Sequence, residues 1–171
     1  PPVTAADRAV LVAVVAACAT ASDQLGTPVA WPATDPLPTA AALPLLDDTR
    51  AAGYALVVVA AQSSGDQRAK ALTTRTQLTA REAELVALAG TSAPPPPLGY
   101  ALPFPVTDPD SAARLATLVL TSLVAGGLAP LTPLPAGSMA VVPLVRFLVD
   151  AAAIARTWGV GPVPFPGLVY P

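Results

Sequence analysis

Glu82 and Glu84 in TAREAEL, the adjacent Asp47 and Asp48 in LLDDTR, Asp150 in FLVDAAA and the single Cys18 in VAACAT are the side chains whose types could hold a metal, move a proton or act as a nucleophile. No histidine accompanies them. That removes the common neutral-pH proton shuttle, the Ser-His-acid triad, the Cys-His pair and the imidazole metal ligand. Residues two apart on a helix point to nearly opposite sides, so Glu82 and Glu84 cannot share a site, and Asp47 and Asp48 cannot both face inward. The Asp pair therefore reads as a solvated helix edge. A carboxylate inside a helical core costs several kcal/mol unless it is paired. Asp150 is accordingly expected to pair with Arg146, one turn earlier, or with Arg50, and to fix helix register. One cysteine cannot form an internal disulfide, and within its apolar run Cys18 reads as a buried, inert thiol. No catalytic, cofactor-binding or metal-ligating residue is assigned on these grounds.

The elements that position these side chains read as helices separated by proline and glycine, with no sustained period-two alternation, so the expected class is all-α. A first helix over about 4–24 starts at Thr4 as N-cap, has Asp7 in its positive first turn, and stops before Gly26. GTPVAWPATDPLP (26–38) is an extended connector pinned by Trp31. Helices over 39–62 and 65–89 are joined by a link so short that they must be antiparallel. In the second of these, Ala71, Leu78, Leu85 and Leu88 form an apolar stripe, with Arg68, Lys70, Arg75 and Arg81 outward and Arg81 paired to Glu84.

After TSAPPPPLGYALPFPV, Asp108 as N-cap and Pro109 at the first helical position start a helix that Gly126-Gly127 ends. This helix is apolar nearly all round and is expected to be the central one. A last helix over 138–158 puts Leu144, Phe147, Leu148, Ala151, Ile154, Ala155 and Trp158 on one face before Gly159, and an extended tail follows over 159–171. Pro44 and Pro143 should each mark a kink or a helix start. Trp31, Trp158, Phe104, Phe165 and Tyr100 are expected to anchor the Pro-rich segments, and the tetraproline 94–97 reads as a stiff surface connector rather than a ligand for a polyproline-reading domain. The chain is thus expected to be one domain: an accessory N-terminal helix (1–25), a connector (26–38), a bundle (39–158) and the tail.

Composition bounds the partners. With 53% apolar and 12% charged residues the folded surface must expose many Ala, Val and Pro side chains, and a net charge of −2 with scattered bases offers no footprint for nucleic acid. The apolar run 9–19 is too short to span a bilayer, which takes about 20 residues, though long enough for a signal-peptide core, and VAAC resembles a lipoprotein cleavage box. The compartment, cytoplasm or cell envelope, stays open.

YALPFPVTDPDSAARLA, GDQRAKAL, LVDAAAIARTWG and PFPGL together resemble an actinobacterial ferritin-like family classed as a domain of unknown function, over about 41–168. The resemblance implies a four-helix bundle formed by the second to fifth helices, with the first helix packed alongside. Such bundles often hold two metals on a Glu from each of two helices and Glu-x-x-His from the others. Where the family carries Glu-His and an acid pair, this sequence has Thr49-Arg50 and Leu120-Thr121, and of the family's acids Asp150 alone has a counterpart. The expectation is a non-enzymatic, metal-free binding or structural module without cofactor, a homo-oligomer through its apolar surface. The rivals are a carrier of a lipid or other apolar ligand, a metal-dependent oxidase or storage protein, and membrane-peripheral attachment through the first or fourth helix.

Overall fold

The computed structural model describes residues 4–135 and 137–168. It is all-helical, with no strand among the described residues: α1 (Ala5–Gln24), α2 (Thr39–Ala61), α3 (Gly65–Ala89), α4 (Pro109–Gly126) and α5 (Val141–Thr157), plus 3₁₀ turns at Gly90–Ser92 and Ala129–Leu131. The ends follow the local chemistry of the chain. Thr4 and Asp7 form a reciprocal capping box at the start of α1, and Asp108 and Ser111 form one at the start of α4 with Pro109 in its first turn. At the ends of α1 and α5 the chain turns through Gly26 and Gly159, at φ of 77° and 80°. There Thr27 N–H returns to the Ser22 carbonyl and Val160 N–H to that of Ala155, the bonds that close a Schellman turn.

Two prolines behave differently. Pro143 lies in the first turn of α5, where its missing N–H would have had no helical partner, so it marks a helix start as expected. Pro44 sits inside α2, which begins five residues earlier at Thr39 and runs through it. The last helix begins at Val141 rather than at 138, because Ser138 is used in a turn: its hydroxyl accepts from Ala140 N–H at 3.1 Å and its carbonyl from Val141 N–H.

α2 packs along α3 and α4, α4 also along α5, and α1 lies on α5. Leu45, Leu46, Leu56, Leu115, Leu120, Leu144 and Leu148 form the middle, each under 2% exposed. α4 is less enclosed than its composition suggested. Leu118 is 42% exposed and Thr121 and Ser122 are exposed, since α2 and α5 cover adjoining faces and α3 touches α4 only slightly. By length and composition 109–131 could cross a membrane, but Leu115, Leu120, Leu123 and Val124 are committed to the core. α5 buries a second face, Val145, Val149 and Ala152, because α1 lies over it.

The Pro-rich segments are extended and lie on the helices. In the connector, Leu37 is buried and Val29 and Trp31 pack against the core, so Trp31 does pin it. Before α4, Leu102, Phe104 and Val106 touch the core while Ala101, Pro103 and Pro105 face out, the period of two of extended backbone. Tyr100 donates to Asp47 Oδ1 at 3.0 Å, and Phe104 lies under the Arg114 guanidinium. Trp158 does a different job from the one expected of it. Its indole N–H donates to Thr74 Oγ1 at 3.0 Å, tying the end of α5 to α3, with Lys70 over its ring. The tetraproline is exposed, and Arg50 holds its first carbonyl at 2.8 Å. Of the expected tail, 169–171 lie outside the described residues.

Candidate functional site: the α3–α5 trough and the outer face of α1

The charged side chains sort themselves across α3. Arg50 of α2, with a side chain 8% exposed, binds Glu82 at 2.8 Å. On the other side of α3, Arg81 binds Glu84 at 2.6 Å and reaches over to Asp150 of α5. Glu82 and Glu84 do face different neighbours. Arg81 was expected to point outward and Arg146 or Arg50 to partner Asp150. Instead Arg81 crosses the gap, because α3 lies opposite α5 whereas Arg50 is drawn to Glu82 and the Pro94 carbonyl. Arg146 is exposed, and its guanidinium has no hydrogen-bonded partner among the described residues.

Asp150 is half-exposed, and partial burial pushes its carboxyl above the ordinary aspartate range, with Arg81 and Arg146 pulling it back and Glu84 and Asp23 adding to the rise. Asp48 is raised by burial and by Asp47. Only half of the solvated-edge reading therefore holds. Asp47 is exposed, but Asp48 turns toward the end of α4, close enough that a Cβ on Gly126 would meet its Oδ2 at 2.6 Å. The carboxylate of Asp47 and partial burial together hold the Tyr100 hydroxyl up at about 12, burial being the larger cause.

Thr49 and Leu120, at positions where the resemblance places metal ligands, are 1% and 0% exposed. The Thr49 hydroxyl donates to the Leu45 carbonyl at 2.6 Å, so these positions are filled by a self-satisfied threonine and a leucine. Thr121 is exposed. Among the described residues no three of His, Cys, Asp and Glu come together as a metal site would need.

Between α3 and α5 the packing is open. A cleft of about 370 Å³ is lined by Leu78, Leu123, Phe147, Ala151 and Ile154, with Gln77, Arg81 and Asp150 at its edge. A second of about 300 Å³ is lined by Leu45, Leu85, Leu88 and Phe147 with Arg81, Glu84 and Arg146. Arg81 and Phe147 border both, so the two clefts adjoin as a trough along the α3–α5 seam, which the Arg81–Asp150 pair bridges.

A separate surface lies on α1. Its inner face, Val12, Ala13, Ala16 and Ala19, is small and buried against α5. The outer face exposes Val10, Leu11, Val14 and Val15, at 37–56%, and Cys18. The expectation of a buried Cys18 is thus overturned: a helix apolar all round still has an outside, and position 18 falls on it. Beside this ridge is a groove of about 330 Å³ with no polar surface, formed by Leu11, Val15, Trp31, Val142 and Val145 with their neighbours. Sequence reading missed this groove because it joins three segments distant in the chain.

Residues 41–170 match the family described as Domain of unknown function (DUF4439). The chain belongs to that family. The DUF4439 match begins inside α2 and runs past α5, taking in the trough and leaving α1 and the connector before it. Comparison with curated proteins and with solved structures gives no match.

Proposed function

We propose that this protein is a non-catalytic binding module, a ferritin-like bundle of actinobacterial type emptied of its metal ligands, that self-associates through the outer face of α1. The observation that carries this reading is the exposed ridge Val10, Leu11, Val14 and Val15 beside a wholly apolar groove. Exposed apolar patches of this kind mark interaction surfaces. Ridge and groove lie next to each other, so a two-fold axis can seat the ridge of each copy in the groove of the other. α1 is about 30 Å long and, with the start of α5 beside it, about 20 Å wide, so a copy docked along the whole helix, polar ends included, buries at most about 600 Å² per copy, the lower end for a specific dimer.

Charge disfavours a membrane as the occupant. α1 carries Asp7, Asp23 and a single base, Arg8, which is turned inward onto the Leu134 carbonyl at 2.7 Å. Membrane-surface helices instead display several Lys and Arg. Sedimentation of the whole chain at micromolar concentration should show a dimer, and Leu11→Asp with Val15→Asp should give monomers with unchanged helicity. Monomers alone in the parent protein would refute this.

A second reading, a carrier of an apolar ligand, is supported by the α3–α5 trough. The metal-dependent reading fits poorly. The residues present do not suit a di-metal centre, since Glu82, Glu84 and Asp150 are each engaged by an arginine and Thr49 and Leu120 fill the interior.

A further inference from the structure

We propose that the α3–α5 trough binds a single-chain carboxylate amphiphile, its head on Arg146 and its tail lying past Phe147 beneath the Arg81–Asp150 pair. This rests on the carrier reading and is independent of self-association through α1.

The trough has direction. Its more apolar compartment is walled by Leu78, Leu123, Ala151 and Ile154 with Arg81 and Asp150 at the edge, while the other sets Arg81, Glu84 and Arg146 beside Leu45, Leu85 and Leu88. One end is therefore suited to hydrocarbon and the other to a charged head. Leu78 shares the first compartment with Ile154, and Leu88 shares the second with Pro143, so the helices run antiparallel along it. From Gln77 to Leu88 is about 17 Å at the helical rise. An extended chain advances about 3.5 Å every three bonds, so a dodecanoyl chain of about 13 Å fits and a much longer one does not. The compartments, about 370 and 300 Å³, lie at the small end of ligand sites.

The head-group choice follows from which charges are already satisfied. Four charged groups face the opening: Glu84 and Asp150, both held by Arg81, and Arg146, which attracts Asp150 but makes no hydrogen bond or ion pair among the described residues. An ammonium head would have to compete with Arg81 for both acids. A carboxylate meets the planar fork of Arg146, which has no hydrogen-bonded partner among the described residues and can donate two hydrogen bonds to it at once.

The test uses the whole chain with dodecanoate, below its micellar concentration, and with dodecanol, each read by calorimetry and native mass spectrometry. Dodecanoate should bind one to one. Arg146→Ala, at an exposed position, should weaken it at least tenfold while leaving dodecanol unchanged. Ala80→Trp, at the exposed mouth, should abolish binding of both without changing the circular dichroism. Equal binding of dodecanol and dodecanoate would overturn the head-group assignment while sparing the carrier reading. Binding of neither would overturn both. Undiminished binding in Ala80→Trp would place the ligand elsewhere and defeat the proposal.

Discussion

At the scale of the residue, the informative group is Asp150, where a carboxylate that looks salt-bridged has its proton held more tightly than usual. Desolvation by the walls of the trough outweighs the attraction of Arg81 and Arg146. A carboxyl whose folded pKa is raised favours the fold while protonated, below its unfolded value near pH 4. That contribution is lost as pH rises through the folded value. At neutral pH ionised Asp150 is therefore a net cost, and Asp150→Asn should match or exceed the parent melting temperature at pH 7, with a flatter profile as pH rises above the ordinary aspartate value. A clear fall at pH 7 would mean that the pair with Arg81 outweighs desolvation. Asp7 and Asp108 titrate in the opposite sense. Hydrogen bonds from Thr4 and from Ser111 lower them, so their help to the fold is present above the ordinary aspartate value and disappears as pH falls through their lowered ones.

At the scale of the element, close approach rather than backbone conformation accounts for the glycine at the end of α4. Gly127 has φ of −62°, which any residue can adopt. Yet a Cβ there would come within 3.2 Å of the Leu148 Cγ and closer still to its Cδ2, and Leu148 is fully buried and cannot step aside. Gly127→Ala should destabilise the protein by about 1–3 kcal/mol in urea unfolding. Shortening the obstacle with Leu148→Val in the same chain should recover part of that loss, whereas a backbone cause would leave the two changes additive. The glycines that end α1 and α5 do depend on a left-handed turn. The letters GG and G read alike as helix stops, but different physics stands behind them.

At the scale of the whole molecule, the pairing of helices creates both candidate surfaces. α1 covers α5 on one side and leaves its own ridge bare, so Cys18 should react freely with a thiol reagent in dilute solution and become protected as concentration carries the protein through dimerisation. Equal reactivity at all concentrations would argue against the α1 interface. The letters alone were enough for the helices, several of their ends to the residue, the N-caps Thr4 and Asp108, and the buried stripe Ala71, Leu78 and Leu85, while the reciprocal bonds that make each cap a box came from the structure. These follow from period, proline and hydrogen bonds formed within a few residues. The absent histidine and the two-residue spacing of the glutamates were equally plain there, and they exclude imidazole-based triads and the Glu-x-x-His ligand pattern. Which faces stay open was decided by tertiary structure alone. In a chain this rich in Ala, Val and Leu nearly every helical face looks fit for burial, so the pattern carries little contrast, and only the packing of α2 with α3 and α4, and of α1 with α5, assigns Cys18 to solvent, Asp48 to a half-buried site and Arg81 to the bridge over the trough.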